Sequence, residues 1–455
     1  MTESDRIEYA SLLKEEGFQC SCGRVHRAGV KTVKLGGRAL DELPEVLRML
    51  HVKKPMVVSG PFTFPAAGQP VLKRLDENGI PYSVFVLEKN GPDKLQPDDG
   101  AVEQVCARFD PSCDVILAVG SGSLNDICKG AATKLGVLQL TVGTAPSMDG
   151  YVSASASLEV RKTKATVPTN PPAAVICDTR LMEKAPMRLL WAGVGDMAAK
   201  VTALGEWKIV SVLFGEHYCE TIAKMVRRAI DQTFAGAEKL LSRDPDAVRT
   251  MGEGLVLSGL CMNFEGTSRP ASGLDHYFSH CWEMMKIAHG EPYDLHGIYV
   301  GIGTLIELRL MEKLLTYRPD RERLLEAAAG FDPEAWKNRL FRLFGDTAEG
   351  FVRLAEQTQN NALKTRLAHF DAIEEKWDDV CEILKQTLEE GRRLEPAMER
   401  LGMPLRPKDV GFTGKEVRET FIVTRDVRDK YLLSSLIWDL GLADEFADWL
   451  EREYA

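Results

Sequence analysis

Val115-Ile116-Leu117-Ala118-Val119-Gly120-Ser121-Gly122-Ser123-Leu124-Asn125-Asp126 decides how the chain reads. An unbroken apolar run, too short for a buried helix, is a strand covered on both faces. Glycine and serine then turn the chain, and a helix follows. Glycines let a backbone approach a diphosphate closely, and the helix behind them points its N–H groups at the anion. A plain tight turn is the competing interpretation. The pattern is neither G-x-G-x-x-G nor a Walker loop, so the standard fingerprints do not apply.

Working outward, the same alternation recurs from residue 32 to 180. Pro55-Met56-Val57-Val58 is a short buried strand that ends at Ser59-Gly60-Pro61. A helix with Val71, Leu72 and Leu75 on one face follows, then the run Tyr82-Ser83-Val84-Phe85-Val86-Leu87. Beyond the opening stretch come Gln139-Leu140-Thr141-Val142, a hairpin-like section, and Ala174-Val175-Ile176-Cys177-Asp178. Short apolar runs separated by helical periods predict a parallel sheet with helices on both faces. Ligands of such sheets bind at the carboxyl ends of the strands. One such end carries Gly143-Thr144-Ala145-Pro146-Ser147-Met148-Asp149-Gly150, which is small, polar and contains an acid.

After Pro186 the character changes, and the remainder reads as helices with charged faces. This predicts a Rossmann-like α/β domain over 1–185 and an all-helical domain over 186–455. The first helix is expected near Trp191-Ala192-Gly193-Val194-Gly195-Asp196. Asp196 there is either a cap that stabilises the helix dipole or a carboxylate ligand. The stretch 311–400 reads as solvated bundle surface, and 401–455 as a docking helix pair.

The chain has 455 residues, 44% hydrophobic and 27% charged, with a net charge of -10. That balance suits a globular protein of two or three domains and argues against general nucleic-acid binding, which needs a basic surface. It leaves room for a local pocket for a small phosphorylated substrate. Met1-Thr2-Glu3-Ser4-Asp5-Arg6 is polar, with no apolar signal region behind it, and no apolar span is long enough for membrane insertion. Ten scattered cysteines are not a disulfide framework, and a reduced cytoplasm is the expected setting. Cys20-Ser21-Cys22-Gly23-Arg24-Val25-His26 has the form of half a zinc site. No second ligand pair at standard spacing accompanies it, so a structural or incidental role is expected.

Four of the eight histidines fall at 276, 280, 289 and 296. His276 and His280 are four apart and share a helix face. Two helices bringing His276 and His296 together, with a distant carboxylate, would make a metal site. Clustered core or surface histidines are the other possibility.

Taken in order, several motifs resemble one family. They are Gly120 to Asp126, Thr144 to Gly150, Ala192-Gly193-Val194-Gly195-Asp196-Met197, Ser268-Arg269-Pro270-Ala271-Ser272-Gly273 with His276 and His280, and His296-Gly297. The chain is similar to glycerol-1-phosphate dehydrogenases of the bacterial AraM-like branch, over roughly residues 30–310. That branch sits with the iron-containing alcohol dehydrogenases, glycerol dehydrogenases and dehydroquinate synthases. The resemblance implies a dehydroquinate synthase-like fold and an oxidoreductase of phospholipid metabolism. The implied reaction is the reversible reduction of dihydroxyacetone phosphate to sn-glycerol 1-phosphate by NAD(H) or NADP(H). It implies a divalent metal on Asp196, His276 and His296, with zinc the first choice and nickel or iron able to use the same ligands. It implies a cofactor set of Gly120, Ser121, Gly122, Ser123, Asp126, Thr144 and Ser147. His280 and Asp149 would face substrate, and one or the other, directly or through water, would supply the proton. His289, in a His-Gly-Glu triplet, is the decoy, because the small-residue helix Val300-Gly301-Ile302-Gly303 follows His296 instead.

The sequence departs from the family pattern at Val58-Ser59-Gly60-Pro61-Phe62-Thr63, where an acid that binds the adenosine ribose is often found. Without it nothing repels a 2′-phosphate, so NADPH is permitted. Arg269 and Lys200 are candidates for the substrate phosphate, with structural ion pairs the alternative for each. A cytoplasmic homo-oligomer is expected. The rival readings are a sister dehydrogenase for another small polyol or sugar phosphate, a sugar-phosphate cyclase, and a non-catalytic binding protein on the same scaffold.

Overall fold

The computed structural model describes residues 9–90, 95–160 and 163–455. The polar opening Met1 to Arg6 therefore lies outside the described residues. By internal contacts the chain divides into two compact units, 1–197 with 220–268, and 198–219 with 269–455.

The first unit opens with a small hairpin, β1 (Phe18–Gln19) and β2 (Val25–His26). Its main sheet is made of β3 (Thr32–Gly36), β4 (Pro55–Ser59), β5 (Ser83–Val86), β6 (Val115–Gly120), β7 (Leu138–Gly143) and β10 (Ala174–Asp178). The strand order is β3-β10-β7-β6-β4-β5, with every neighbour parallel. The hairpin expected between β7 and β10 is β8 (Ser155–Val160) with β9 (Thr163–Pro168). The edge strand β3, with half-exposed residues, is the one strand of the sheet that the apolar runs did not single out.

Alternation within single strands fills two cores. Val115, Leu117 and Val119 of β6 join Val57, Leu140, Val142 and Ile176 on one face. Ile116 and Ala118 join Met56, Val58, Leu124 and Ile127 on the other. Covering both faces leaves no polar side, which is why the strand reads as a continuous apolar run. From β4 the chain moves outward to β5, and from β6 it moves the opposite way to β7. The strand order thus reverses between neighbouring β4 and β6, where an open α/β sheet forms its ligand crevice. Gly120 and Gly143 pair in register, so the β6 and β7 turns leave the sheet at one level.

Helix α1 (Gly122–Leu135) follows β6 directly. Helix α2 (Met187–Phe214) begins ahead of Trp191, which makes Asp196 an interior residue of the helix and rules out the cap. Helices α3 (Glu220–Ala235) and α4 (Pro245–Glu265) pack together in the same unit as the sheet.

In the second unit the described residues after 269 contain helices and no strand. Helix α5 (Leu274–Ala288) lies against α6 (His296–Leu314). A Cβ on Gly303 would sit 2.5 Å from the Asp275 carbonyl oxygen, so the small-residue run of α6 allows close approach to the start of α5. The stretch 311–400 is not only solvated surface. Each of its helices buries an apolar edge, including Leu324, Leu340, Phe370 and Leu384. The closing helix pair is Leu433–Asp439 with Ala443–Glu453. Among the described residues no helix is long and apolar enough to cross a membrane.

Candidate functional site

In the first unit the candidate residues gather beyond β6 and β7. Ser121 caps α1, its hydroxyl accepting from Gly122 N at 2.7 Å. The same hydroxyl lies 3.0 Å from Ser147 Oγ, and Thr144 N donates to Gly120 O at 3.1 Å. These bonds join the two turns. Ser121, Gly122 and Ser123 stay half-buried while Leu124 to Cys128 are fully covered. The open part of the segment is therefore the turn and helix N-terminus, where the first backbone N–H groups have no acceptor in the preceding helical turn. A Cβ at Gly122 would sit 3.0 Å from the end of the Met148 side chain, so the turn packs closely against that residue.

One turn into α1, Asp126 and Lys129 hold the loop beneath. Lys129 is fully buried, with Nζ 3.0 Å from Asp126 Oδ1. It donates to Gly150 O at 2.9 Å, to Ser153 Oγ at 3.1 Å and to Ser155 O. Asp126 Oδ2 accepts from Ser157 N at 3.1 Å. The Asp126 carboxylate is thus engaged inside the fold, on the side of α1 that carries the 150–157 segment.

Asp149 and Asp196 meet in this unit. Asp149 N donates to Asp196 Oδ2 at 2.8 Å, and Ser258 Oγ donates to Asp149 Oδ2 at 2.9 Å. Both acids are buried. Two glycines make room for this loop. A Cβ on Gly193 would meet Pro146 O at 2.0 Å, and one on Gly259 would meet Asp149 O at 2.3 Å.

In the second unit α5 and α6 bring three histidine rings together. Ring centroids are 5.4 Å apart for His276 and His296, 5.2 Å for His280 and His296, and 6.3 Å for His276 and His280. Two of the three have a buried carboxylate on Nδ1. Asp275 takes that of His276, and Glu283 Oε1 lies 2.6 Å from that of His296. Ser279 Oγ adds a contact 2.9 Å from His296 Nδ1. A carboxylate on one ring nitrogen fixes the tautomer and leaves Nε2 with its lone pair, which is how metal-binding histidines are held. His280, Glu283 and His296 offer ligand atoms within 4.8 Å of one another.

The surroundings are strongly charged. Burial would raise the Asp275 carboxyl, but His276 beside it, with Thr202 and Lys200, holds it below the ordinary range. Burial, then the Glu206 and Asp275 charges, push Glu307 well up, and Glu307 Oε2 accepts from Asp275 N at 2.9 Å. His280 is pushed well below the usual imidazole value by burial, then by Arg428 and His296. Its Nδ1 is buried with no hydrogen-bond partner among the described residues.

His289 stands at the exposed end of α5, its Nδ1 2.8 Å from Met285 O in its own helix. Arg269 forms a two-pronged pair with Glu216, both contacts 2.7 Å, and also donates to Tyr431 O. That is the structural ion pair weighed for it above. Asp275, Ser279, Glu283 and Ser258 were not singled out in the sequence. Two signals existed: Asp275 precedes His276 directly, and Ser279 and Glu283 lie at helical spacing from it.

Comparison with known proteins adds a family. The model for iron-containing alcohol dehydrogenases matches residues 34–186. A glycerol-1-phosphate dehydrogenase of Bacillus licheniformis, named for NAD(P)+, is 29% identical over 434 residues, 95% of each chain. One from Halalkalibacterium halodurans is 30% identical over 80% of this chain and 92% of its own. One from Pyrococcus furiosus is 33% identical over 67% and 86%. Among solved structures, glycerol dehydrogenase of Schizosaccharomyces pombe superposes with a TM-score of 0.58 at 15% identity, covering 93% of this chain and 91% of that one. An archaeal Red Sea brine pool alcohol dehydrogenase gives 0.60 at 15% identity, covering 95% and 99%. At that identity the likeness speaks for the fold.

Proposed function

The chain belongs to the glycerol-1-phosphate dehydrogenases within the iron-containing alcohol dehydrogenase group, and from that premise we propose how its residues divide the reaction. The reaction is the reversible reduction of dihydroxyacetone phosphate to sn-glycerol 1-phosphate with NADH or NADPH. The carrying observation is 30% identity over 80% of the chain to a protein of that name.

Gly120, Ser121, Gly122 and Ser123 bind the cofactor diphosphate through backbone N–H groups at the start of α1. Thr144 and Ser147 line the nicotinamide end. Asp126 acts from beneath, pairing with Lys129 to hold the loop that carries Asp149. No acid stands at 58–63 to repel a 2′-phosphate, which permits NADPH beside NADH.

Asp196, His276 and His296 are the proposed metal ligands. The donor set fits a divalent ion: two imidazoles with carboxylate-held Nδ1 atoms, and one buried carboxylate. Zinc, nickel and iron all accept such nitrogen and oxygen donors. When bound, the metal supplies Lewis acidity toward the substrate oxygens and the nicotinamide supplies the hydride. Asp149 orients substrate, held by Ser258. His280 or Asp149, directly or through water, supplies the proton to the substrate oxygen. We further propose a homo-oligomer in the cytoplasm, with the nucleotide domain over 1–185 and the helical domain over 186–455. Light scattering tests the assembly.

The test of the reaction is oxidation of NADH or NADPH that depends on dihydroxyacetone phosphate, followed by chiral assignment of the product. Turnover with unphosphorylated glycerol or long alcohols alone would move the chain to a sister activity. Elemental analysis tests the ligands. Metal at wild-type stoichiometry in the triple Asp196→Ala/His276→Ala/His296→Ala variant would end that assignment.

A further inference from the structure

A second cluster of metal-binding side chains lies far along the chain from the candidate site. Ligand atoms of Cys20, Cys22, His26 and Cys219 all lie within 4.8 Å of one another. We propose that these four residues bind a structural zinc ion that clamps the N-terminal hairpin onto helices α3 and α4. The sequence alone pointed the other way, because Cys20, Cys22 and His26 make only three ligands. The fourth is the residue at which the chain enters α3, about two hundred positions later.

The geometry is that of a preformed site. The β1–β2 turn is closed by Cys20 N donating to Arg24 O and Gly23 N to Cys20 O, both at 3.0 Å. Gly23 takes a φ of +87, a conformation that favours glycine. The turn puts Cys22 Sγ 3.3 Å from His26 Nε2. Cys20 Sγ lies 3.3 Å from Thr221 Oγ1 in the first turn of α3, which brings it to the side of the helix start where Cys219 stands.

His26 carries the argument furthest. Its ring is 1% exposed, and Nδ1 lies 2.7 Å from Phe264 O at the end of α4. A carbonyl accepts only, so Nδ1 holds the proton and Nε2 keeps its lone pair, aimed into the sulfur cluster. This is the arrangement that a carbonyl behind the ring imposes on zinc-bound histidines. A tetrahedral zinc with about 2.3 Å bonds to sulfur places its sulfurs about 3.8 Å apart, within the spread of these atoms. Four protein ligands close the coordination sphere, as in structural sites. Cys20 and Cys219 are buried and Cys22 is half-buried, so the ion is shielded without being unreachable. The clamp also has a task. Two-residue strands are marginal by themselves, and a bond that closes a long loop restrains the unfolded chain strongly.

X-ray absorption at the zinc edge on the full-length wild-type protein, purified without chelator, is the deciding experiment. Asp196, His276 and His296 contain no sulfur, so a zinc–sulfur shell at about 2.3 Å reports this cluster alone. The expected result is that shell with about one zinc per chain beyond any lost in His276→Ala, kept in that variant and lost in Cys22→Ser. Alkylation of the native protein should leave Cys20, Cys22 and Cys219 unmodified until a strong chelator is added. This holds even where Cys22→Ser fails to fold. A zinc spectrum with only nitrogen and oxygen neighbours, no zinc beyond that lost in His276→Ala, or a disulfide mapped between two of these cysteines would overturn the proposal.

Discussion

Replacing Glu283 tests the candidate metal centre without touching a proposed ligand. Its carboxylate is 1% exposed, and Oε1 lies 2.6 Å from His296 Nδ1. A glutamine of the same shape can keep an oxygen on Nδ1 but loses the charge. Charged hydrogen bonds contribute about 1.5–3 kcal/mol and neutral ones about 0.5–1.5, so the change costs about 1 kcal/mol. At about 1.4 kcal/mol per factor of ten, metal affinity should fall about five- to tenfold in Glu283→Gln. Glu283→Leu removes the acceptor as well. Ser279 Oγ, 2.9 Å from the same nitrogen, replaces it only in part. Loss of such a partner typically costs about 10–100-fold in metal affinity or activity, so the leucine variant belongs near the upper end. The assay is competition between the metal-free protein and a chromophoric chelator, alongside kcat and the KM for dihydroxyacetone phosphate. Urea unfolding of the metal-free variants separates stability from affinity. Wild-type metal affinity in a folded Glu283→Leu protein would refute the assignment of His296.

Three further outcomes follow from the packing. Gly303→Ala drives a Cβ into the Asp275 carbonyl and should cost about 1–3 kcal/mol, with weaker metal retention as α6 shifts from α5; an unchanged Tm and metal content would reject this contact. Lys129→Met leaves Asp126 uncompensated in a buried pair and should cost about 3–5 kcal/mol by urea denaturation, partly recovered by adding Asp126→Asn; a loss below about 1 kcal/mol would remove its structural role. Burial, followed by the Asp275 charge, pushes Glu206 up to about 7 from its ordinary 4.5. A carboxyl raised on folding contributes stability that is complete below about 4.5 and lost as pH rises through about 7, so the Tm of Glu206→Gln should vary less with pH across that window. Equal slopes in the two proteins would contradict it.

The sheet was legible because its inner strands are buried on both faces, which writes them as short apolar runs. Edge strand β3 was less so, since a half-exposed strand carries no such run. The glycine turn was legible as a turn, but its fit against Met148 was not. The histidine spacing exposed one face of α5, yet not which carboxylates hold the rings. Glu283 reads like any charged helical residue until α6 packs over it. Asp196 illustrates the same limit. The glycines before it resemble a helix start, whereas α2 begins earlier and Gly193 makes room for the Pro146 backbone. Cys20, Cys22 and His26 form an incomplete motif until α3 brings Cys219 up to them. Sequence by itself determined what repeats locally: strand runs, helix faces and turn chemistry. Tertiary structure alone decided which distant side chains share a buried space, because burial and partner choice depend on packing between segments that no local spacing encodes.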